Sequence, residues 1–352
     1  MKRSLITLLF ALCSVMIARA QFDTNFVQIY KNRLVVSIFQ SYRYQNLYLT
    51  QNAAADTTGA SKINYKCSSK LVQGFAFDWD KISFALSWKT PIDENTEKRQ
   101  GKSSARNLSV GLNTKKSRYE ASYRYYQGFF DENIANIPAF NDSTPYFQNN
   151  DLSVRTFKLK HIYFRNKKKR FSYKAAYSNT HRQLKSAATW VFISNLYYQR
   201  IQSNEDIVPS IVPVDYYQSY RDIHTISSVG LSLHPGVSVN LVAFKRIFVN
   251  GTLAWGPQIM YRRLRNDDDS RDIREFKFQI SSGDARFSIG YNGENFLIYS
   301  WFNGDFDVMD FPDMDIARQF ISGGVSIGYR FKLKEKRNWT QKVRENKWYQ
   351  KI

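Results

Sequence analysis

The sequence predicts an all-β fold, a single antiparallel transmembrane β-barrel of about 14 strands, with 12 to 16 compatible. Three observations predict it. The first twenty residues have the anatomy of an export leader. No later apolar run reaches the roughly 18 residues that a membrane helix needs. Aromatic side chains, 16% of the chain and mostly Phe and Tyr, recur at every second position in one segment after another, which is the strand period.

The leader comes first. Lys2 and Arg3 precede an apolar stretch from Leu5 to Ile17, and Ala18-Arg19-Ala20 forms a small-x-small ending before Gln21. That order is expected of a cleaved secretory signal over residues 1–20, because the apolar stretch is too short to span a bilayer. Cys13 departs with it. Cys67 is then alone, which excludes an internal disulfide or a cysteine-built metal site. Loss of Lys2, Arg3 and Arg19 lowers the net charge from +21 to +18. Such an excess favours anionic partners, with membrane lipid and lipopolysaccharide phosphates foremost. Nucleic acid is not expected, since the chain is exported and its basic residues are scattered rather than gathered in a motif.

Strand signals follow in order. A long early strand runs from Arg33 to Leu49 after a periplasmic segment, 21–32. Phe75, Phe77 and Trp79 alternate with Gly74, Ala76 and Asp78. After a tight join at Asp80-Lys81, Ile82, Phe84, Leu86 and Trp88 do the same, so the pair reads as a hairpin. Leu108, Val110 and Leu112, then Tyr119, Ala121, Tyr123 and Tyr125, repeat the pattern across a short turn at 113–117. Phe171, Tyr173, Ala175 and Tyr177 suggest another strand, and Ile247 to Arg263 and Phe287 to Tyr291 give later ones. Ser186 to Arg200 reads either as one strand or as two short spans turning at Ser194-Asn195.

Connections alternate in length, which distinguishes a membrane barrel from a soluble sandwich. Short turns are expected near Asp80, 113–117, 166–169 and 292–294, and long polar loops at 51–61, 91–103, 131–151 and 303–316. The barrel should occupy 33–331 and a basic periplasmic tail 332–352. The last strand places Val325, Ile327, Tyr329 and Phe331 on one face, an ending that resembles the signal by which barrel-assembly machinery recognises its clients, although a basic tail follows it here in place of the usual terminal aromatic.

Several short motifs, taken in order, resemble the family called domain of unknown function 4421, found in outer-membrane-type barrels of Bacteroidetes-type bacteria. They are Arg33-Leu34-Val35-Val36, Leu184-Lys185-Ser186-Ala187-Ala188, His234-Pro235-Gly236 ahead of Phe244-Lys245, Ile289-Gly290-Tyr291-Asn292 and Gly328-Tyr329-Arg330-Phe331. The resemblance implies a barrel in the cell envelope and assigns no catalytic residue.

Candidate chemistry is sparse. The chain carries no H-E-x-x-H, Gly-rich phosphate loop or G-x-S-x-G. His181 and Ser186, flanking an expected outer loop, form the best local nucleophile pair, against a reading as a hydrated histidine and a strand-start serine. Asp305, Asp307, Asp310, Asp313 and Asp315 could gather around Ca2+ on a flexible loop, although they lack EF-hand spacing. Asp267-Asp268-Asp269 reads as a solvated loop. If Val325, Phe287, Phe171 and Tyr123 face lipid, then Arg124, Lys174, Lys277, Arg286 and Arg330 face the lumen, partly paired with acids such as Glu120 and Glu275. These features favour a non-enzymatic, monomer-capable outer-membrane barrel for anion-biased solute passage or envelope organisation. The rivals are a barrel enzyme acting on lipid or lipopolysaccharide and a soluble periplasmic β-protein.

Overall fold

The computed structural model describes residues 22–333, apart from 52–58, 69, 115, 135–136, 138, 141–143, 267–271 and 311–314, together with 342, 343, 345, 346 and 349. The expected leader, Asp267 to Asp269, Asp313, Trp339 and Trp348 lie outside the described residues.

The alternating segments form long strands: β1 (Val27–Ile29), β2 (Arg33–Thr50), β3 (Lys62–Cys67), β4 (Leu71–Trp79), β5 (Ile82–Lys89), β6 (Ser104–Asn113), β7 (Ser117–Asp131) and β8 (Phe147–Phe164). They continue with β9 (His181–Gln183), β10 (Ala187–Gln202), β11 (Thr225–Ala243), β12 (Ile247–Arg265), β13 (Asp272–Asn292), β14 (Phe296–Asp310) and β15 (Asp315–Lys332). Two short helices interrupt them, α1 (Glu94–Gln100) and α2 (Tyr173–Tyr177).

Neighbouring wall strands are antiparallel, and β15 pairs with β2 from Lys332↔Arg33 to Asp315↔Thr50, which closes the cylinder. Twelve strands close it among the described residues, not about 14, because β3 and β4 are two halves of one descending strand. Both pair with β2, β3 through Thr50 to Asn46 and β4 through Tyr42 to Leu34. The strand breaks between Cys67 and Leu71. Above the break its other neighbour is β7, and below it the β5–β6 hairpin is inserted. β7 changes partner at a bulge between Gln127 and Phe129. Gly128 sits there at φ +80°, and a Cβ would stand 1.9 Å from the Lys102 carbonyl, so this position requires glycine.

One end of the barrel carries the short connections and the paired ends of the wall, Arg33 and Lys332, and is called here the turn end; the other is the loop end. Expected loops 51–61 and 91–103 are at the loop end, as is the β7–β8 connection. The ladder with β15 extends β14 to Asp310 and starts β15 at Asp315, so within the expected 303–316 loop 303–310 and 315–316 are strand, while 311–314 lie outside the described residues. Ser194 and Asn195 lie inside β10, an unbroken strand from Ala187.

The greatest departure lies between β8 and β10. Residues 171–177 alternate as a strand would, yet no wall position is left for them. They turn inward at the turn end instead, where α2 and β9 form a plug and β9 pairs with β1. Phe171 is therefore buried rather than outward-facing, packed on Phe164 beneath Tyr173. The expected turn at 166–169 is the start of this insertion.

Side-chain alternation sorts the wall. Outward positions such as Ile38, Phe157, Leu231, Leu253, Phe278 and Phe287 are exposed, and together they make an apolar belt around the exterior. Val325, Ile327, Tyr329 and Phe331 all lie on it, each 43–49% exposed. An exposed apolar face of this extent marks a surface that meets another protein or a membrane.

Candidate lumenal charge cluster

The inward face is polar at mid-height and covered at both ends. At the loop end, Tyr65, Phe129, Ile134, Ile207, Val212 and Tyr217 belong to one buried apolar cluster built from the strand tops and the β7–β8 and β10–β11 connections. The Tyr65 hydroxyl donates to the Ile207 carbonyl at 2.9 Å, and Tyr217 Oη sits 2.6 Å from the Ser61 carbonyl, so the buried phenols have partners.

At the turn end the plug is held by polar contacts. Arg330 on β15 donates to the carbonyls of Asn179 (2.8 Å), Gly293 (2.5 Å) and Glu294 (3.1 Å), and also to Asn292 Oδ1. Gln183 Oε1 accepts from the Ser172 amide at 2.9 Å while its Nε2 donates to the Arg170 carbonyl at 2.6 Å. Tyr349 of the tail stacks on Trp79 and donates to Asp80 Oδ2 at 3.0 Å, so the end of the chain returns to the β4–β5 turn.

Between these closures lies the charge cluster. β8 contributes Lys158 and Lys160, which alternate with outward Phe157 and Leu159. β7 contributes Arg118, Glu120 and Arg124, β13 contributes Asp284 and Arg286, and β14 contributes Asp305. Lys160 Nζ bridges Asp284 and Asp305, the latter at 3.1 Å. Arg124 donates to Asp305 Oδ2 at 2.8 Å, and Lys158 reaches Asp305 Oδ1 at 3.4 Å. Arg286 grips both oxygens of Glu120, at 3.2 and 2.6 Å, a bidentate arrangement that the planar guanidinium favours. Arg118 donates to the same carboxylate at 2.6 Å. Behind Asp284, His234 Nδ1 donates at 2.8 Å and Asn195 Nδ2 at 3.0 Å.

Two adjoining hollows of about 190 and 220 Å³ open onto this cluster, sharing Arg43, Glu120 and Arg286 on their walls. Arg43 donates to Ser41 Oγ at 3.3 Å and has no carboxylate partner among the described residues. Among the described residues, Arg43, Arg118, Arg124, Lys158, Lys160 and Arg286 thus face Glu120, Asp284 and Asp305, with Asp78 buried beside Arg118, six cations against four carboxyl groups.

The sequence-derived candidates divide accordingly. Arg124 and Arg286 are in the cluster. Arg330 is inward but belongs to the plug contacts. Lys277 lies on the same face of β13 as Glu275, nearer the loop end. Lys174 is not on a strand; it sits on α2, where its ammonium donates to the Asp80 carbonyl at 3.2 Å and burial pushes its pKa down to about 8. His181 and Ser186 do not pair. Both are at the turn end rather than on an outer loop, with His181 buried and sharing a hydrogen bond with Ser172 Oγ at 2.9 Å, while Ser186 accepts from the Val242 amide at 3.0 Å. Asp305 is not a loop ligand, since its carboxylate is occupied by Arg124, Lys158 and Lys160. Asp307 and Asp310 continue β14 and Asp315 opens β15, so the backbone forms a ladder there and not a calcium loop. The described residues hold no cluster of three or more metal-ligating side chains.

Sequence reasoning missed Arg43, Lys158, Lys160, Asp284, His234 and Asn195. Their phase was readable, since Lys158 and Lys160 alternate with apolar neighbours. Their convergence from β2, β8, β10, β11 and β13 was not.

Residues 21–331 match the family model described as Domain of unknown function (DUF4421). Comparison with curated protein sequences gives no match. Among solved structures, the chain is similar to the outer-membrane protease OmpT of Escherichia coli, at 9% identity and TM-score 0.39 over 88% of this chain and 100% of that one. It is also similar to an outer-membrane channel of Pseudomonas putida F1, at 7% identity and TM-score 0.36 over 88% and 100%. A Pseudomonas aeruginosa FadL homologue follows at 9% identity and TM-score 0.27 over 86% and 91%. At such values the likeness carries no inference about role.

Proposed function

We propose, taking as premise that the chain belongs to the DUF4421 family, that it spans the outer membrane as a gated barrel for anionic solutes, with the lumenal cluster as its selective region and the turn-end plug as its gate. The observation that carries this reading is the excess of six cations over four carboxyl groups, Asp78 included, among the described residues of the cluster on the inner wall. In a low-dielectric enclosure such an excess raises the local concentration of anions and repels cations.

The membrane assignment rests on the apolar belt and on backbone accounting. Only helices and closed barrels satisfy every backbone group in lipid. No helix among the described residues is long and apolar enough to cross, whereas the strand ladder closes on itself. In outer-membrane barrels the short turns face the periplasm, which orients this chain with its loop end outward. The exposed Val325, Ile327, Tyr329 and Phe331 on the closing strand support its role as the assembly signal.

The test is planar-bilayer conductance of the intact protein, of a variant whose loop-end cover 205–222 is replaced by a short Gly-Ser linker, and of a plug-less variant in which residues 170–183 are replaced as well, so that both covers are open, each first checked for heat-modifiable migration. The intact barrel should conduct little. The plug-less variant should give stable, anion-preferring conductance, reduced in preference when Arg124 and Lys158 are changed to Gln. A folded plug-less barrel that prefers cations or stays silent would overturn the reading.

A further inference from the structure

The outer surface changes character over three successive rungs where β7, β8, β10 and β11 run side by side. The rung nearest the turn end is Tyr123, Phe157, Tyr198 and Val229, apolar and 42–45% exposed. Four residues further toward the loop end, Gln127, Ser153, Gln202 and Thr225 are polar throughout. The rung between them is Tyr125, Arg155, Arg200 and Ser227, to which β6 adds Arg106 opposite Tyr125.

Arg155 and Arg200 are direct cross-strand partners. Like charges in that relation repel, with Cβ atoms only about 4.5–5.5 Å apart. No acidic residue occupies any of the three rungs, and no ion pair joins Arg106, Arg155 or Arg200 to a described residue. Arg200 Nε is buried without a hydrogen-bond partner, and the Arg155 guanidinium lies over the Tyr125 ring at 5.4 Å. The contrast on the same rung is Arg263, opposite Ser227, which Asp272 neutralises at 2.8 Å.

We infer that Arg155 and Arg200, flanked by Arg106, form a binding site for the phosphorylated headgroup of an outer-leaflet glycolipid whose acyl chains lie along the apolar rung beneath. The inference rests on the orientation proposed above, in which the belt lies in the outer membrane with the loop end outward. A phosphate between the two guanidiniums converts their repulsion into charge-assisted, bidentate hydrogen bonds. The location selects a lipid over a free anion, because the site lies at the boundary where the belt ends and the polar wall begins. Each basic residue at a charged lipid surface contributes about 1 kcal/mol, so removing two of them lowers affinity by at least about tenfold.

The test reconstitutes the full chain in phosphatidylethanolamine nanodiscs doped with bisphosphorylated lipid A, then measures by native mass spectrometry the lipid retained after gentle detergent extraction. The wild type should retain it; Arg155→Gln/Arg200→Gln should retain at least about tenfold less, Arg155→Lys/Arg200→Lys should keep most of it, and Arg263→Gln should match the wild type. Single Arg155→Gln serves if the double variant does not migrate as a folded barrel. Equal retention by the wild type and the Gln variant, or of dephosphorylated lipid A, overturns the site. Equal capture of phosphatidylglycerol overturns the glycolipid as its occupant. Recovery of the chain from the inner-membrane or soluble fraction would instead overturn the membrane reading on which the site depends.

Discussion

The two ends of the barrel are closed by different physics. The loop end is held by apolar burial, with Tyr65, Phe129, Ile207 and Tyr217 removed from water and few charges among them. The turn end is held by hydrogen bonds from Arg330 and Asn240 of the wall to a plug that Gln183 ties together from within and that also buries His181 and Lys174. Apolar closure is strong and indifferent to proton concentration, whereas a buried polar closure is specific and answers to protonation. A barrel with one of each has one cover that acid leaves alone and one that acid loosens.

The difference can be broken at three places. Truncating Tyr65 to Ala should have the largest effect, a loss of about 3–5 kcal/mol, because a fully buried ring is lost and the Ile207 carbonyl loses its donor. Urea unfolding followed by tryptophan fluorescence in liposomes measures it, and Tyr65→Phe should recover most of the loss. A cost below about 1 kcal/mol for Tyr65→Ala would mean that the loop-end cluster is not structural.

Arg330→Lys comes next. A lysine ammonium cannot reach the three carbonyls and the amide oxygen that the guanidinium spans, so we expect a loss of about 2 kcal/mol, concentrated in the plug. Hydrogen exchange should rise for residues 171–183 and stay unchanged in the loop-end connections. A uniform rise would show that the ends are one cooperative unit.

Acid should have the smallest effect and the most localised one. Burial, with Lys174 and Arg330 nearby, holds the His181 imidazole well below its ordinary value of 6.5, so the native plug keeps it neutral. Below pH 6.5 the opened plug binds a proton that the closed plug refuses, and stability therefore falls as pH falls through that value. One pH unit lower costs about 1.4 kcal/mol. Lys174, displaced to about 8, stays protonated across this window and adds no slope there. Corrected for the intrinsic exchange rate at each pH, the protection of the plug amides should fall between pH 7.5 and 5.5 in the wild type and not in His181→Gln; an equal fall in both would sink the assignment.

Much of the wall was legible and the interior was not. The hairpin at 75–88 and the long strands from Arg33 and Ile247 follow from period-two alternation, a property each strand carries locally. Phe171 to Tyr177 shows the limit, since the same alternation there ends in a buried helix. Alternation reports which residues want a dry side, and both lipid and plug provide one. For the charge cluster, Arg124 and Arg286 could be phased from their own strands. The Lys160, Asp284 and His234 junction joins residues far apart in the chain, and pairing across a lumen leaves no local trace.

The interrupted strand formed by β3 and β4 leaves the molecule with two girths. Ten strands run past β3 toward the loop end and twelve past the β5–β6 hairpin toward the turn end. Barrel diameter grows roughly with strand number, so the cylinder is a taper about one-sixth narrower toward the loop end. The two mouths of the wall therefore differ in width, with the broader one at the turn end, where the plug sits. The register for a uniform ten-stranded tube is already present in the Cys67↔Phe129 pairing. The hairpin is thus a removable gusset, and its length is where the chain can adjust its bore without rewriting the other strands.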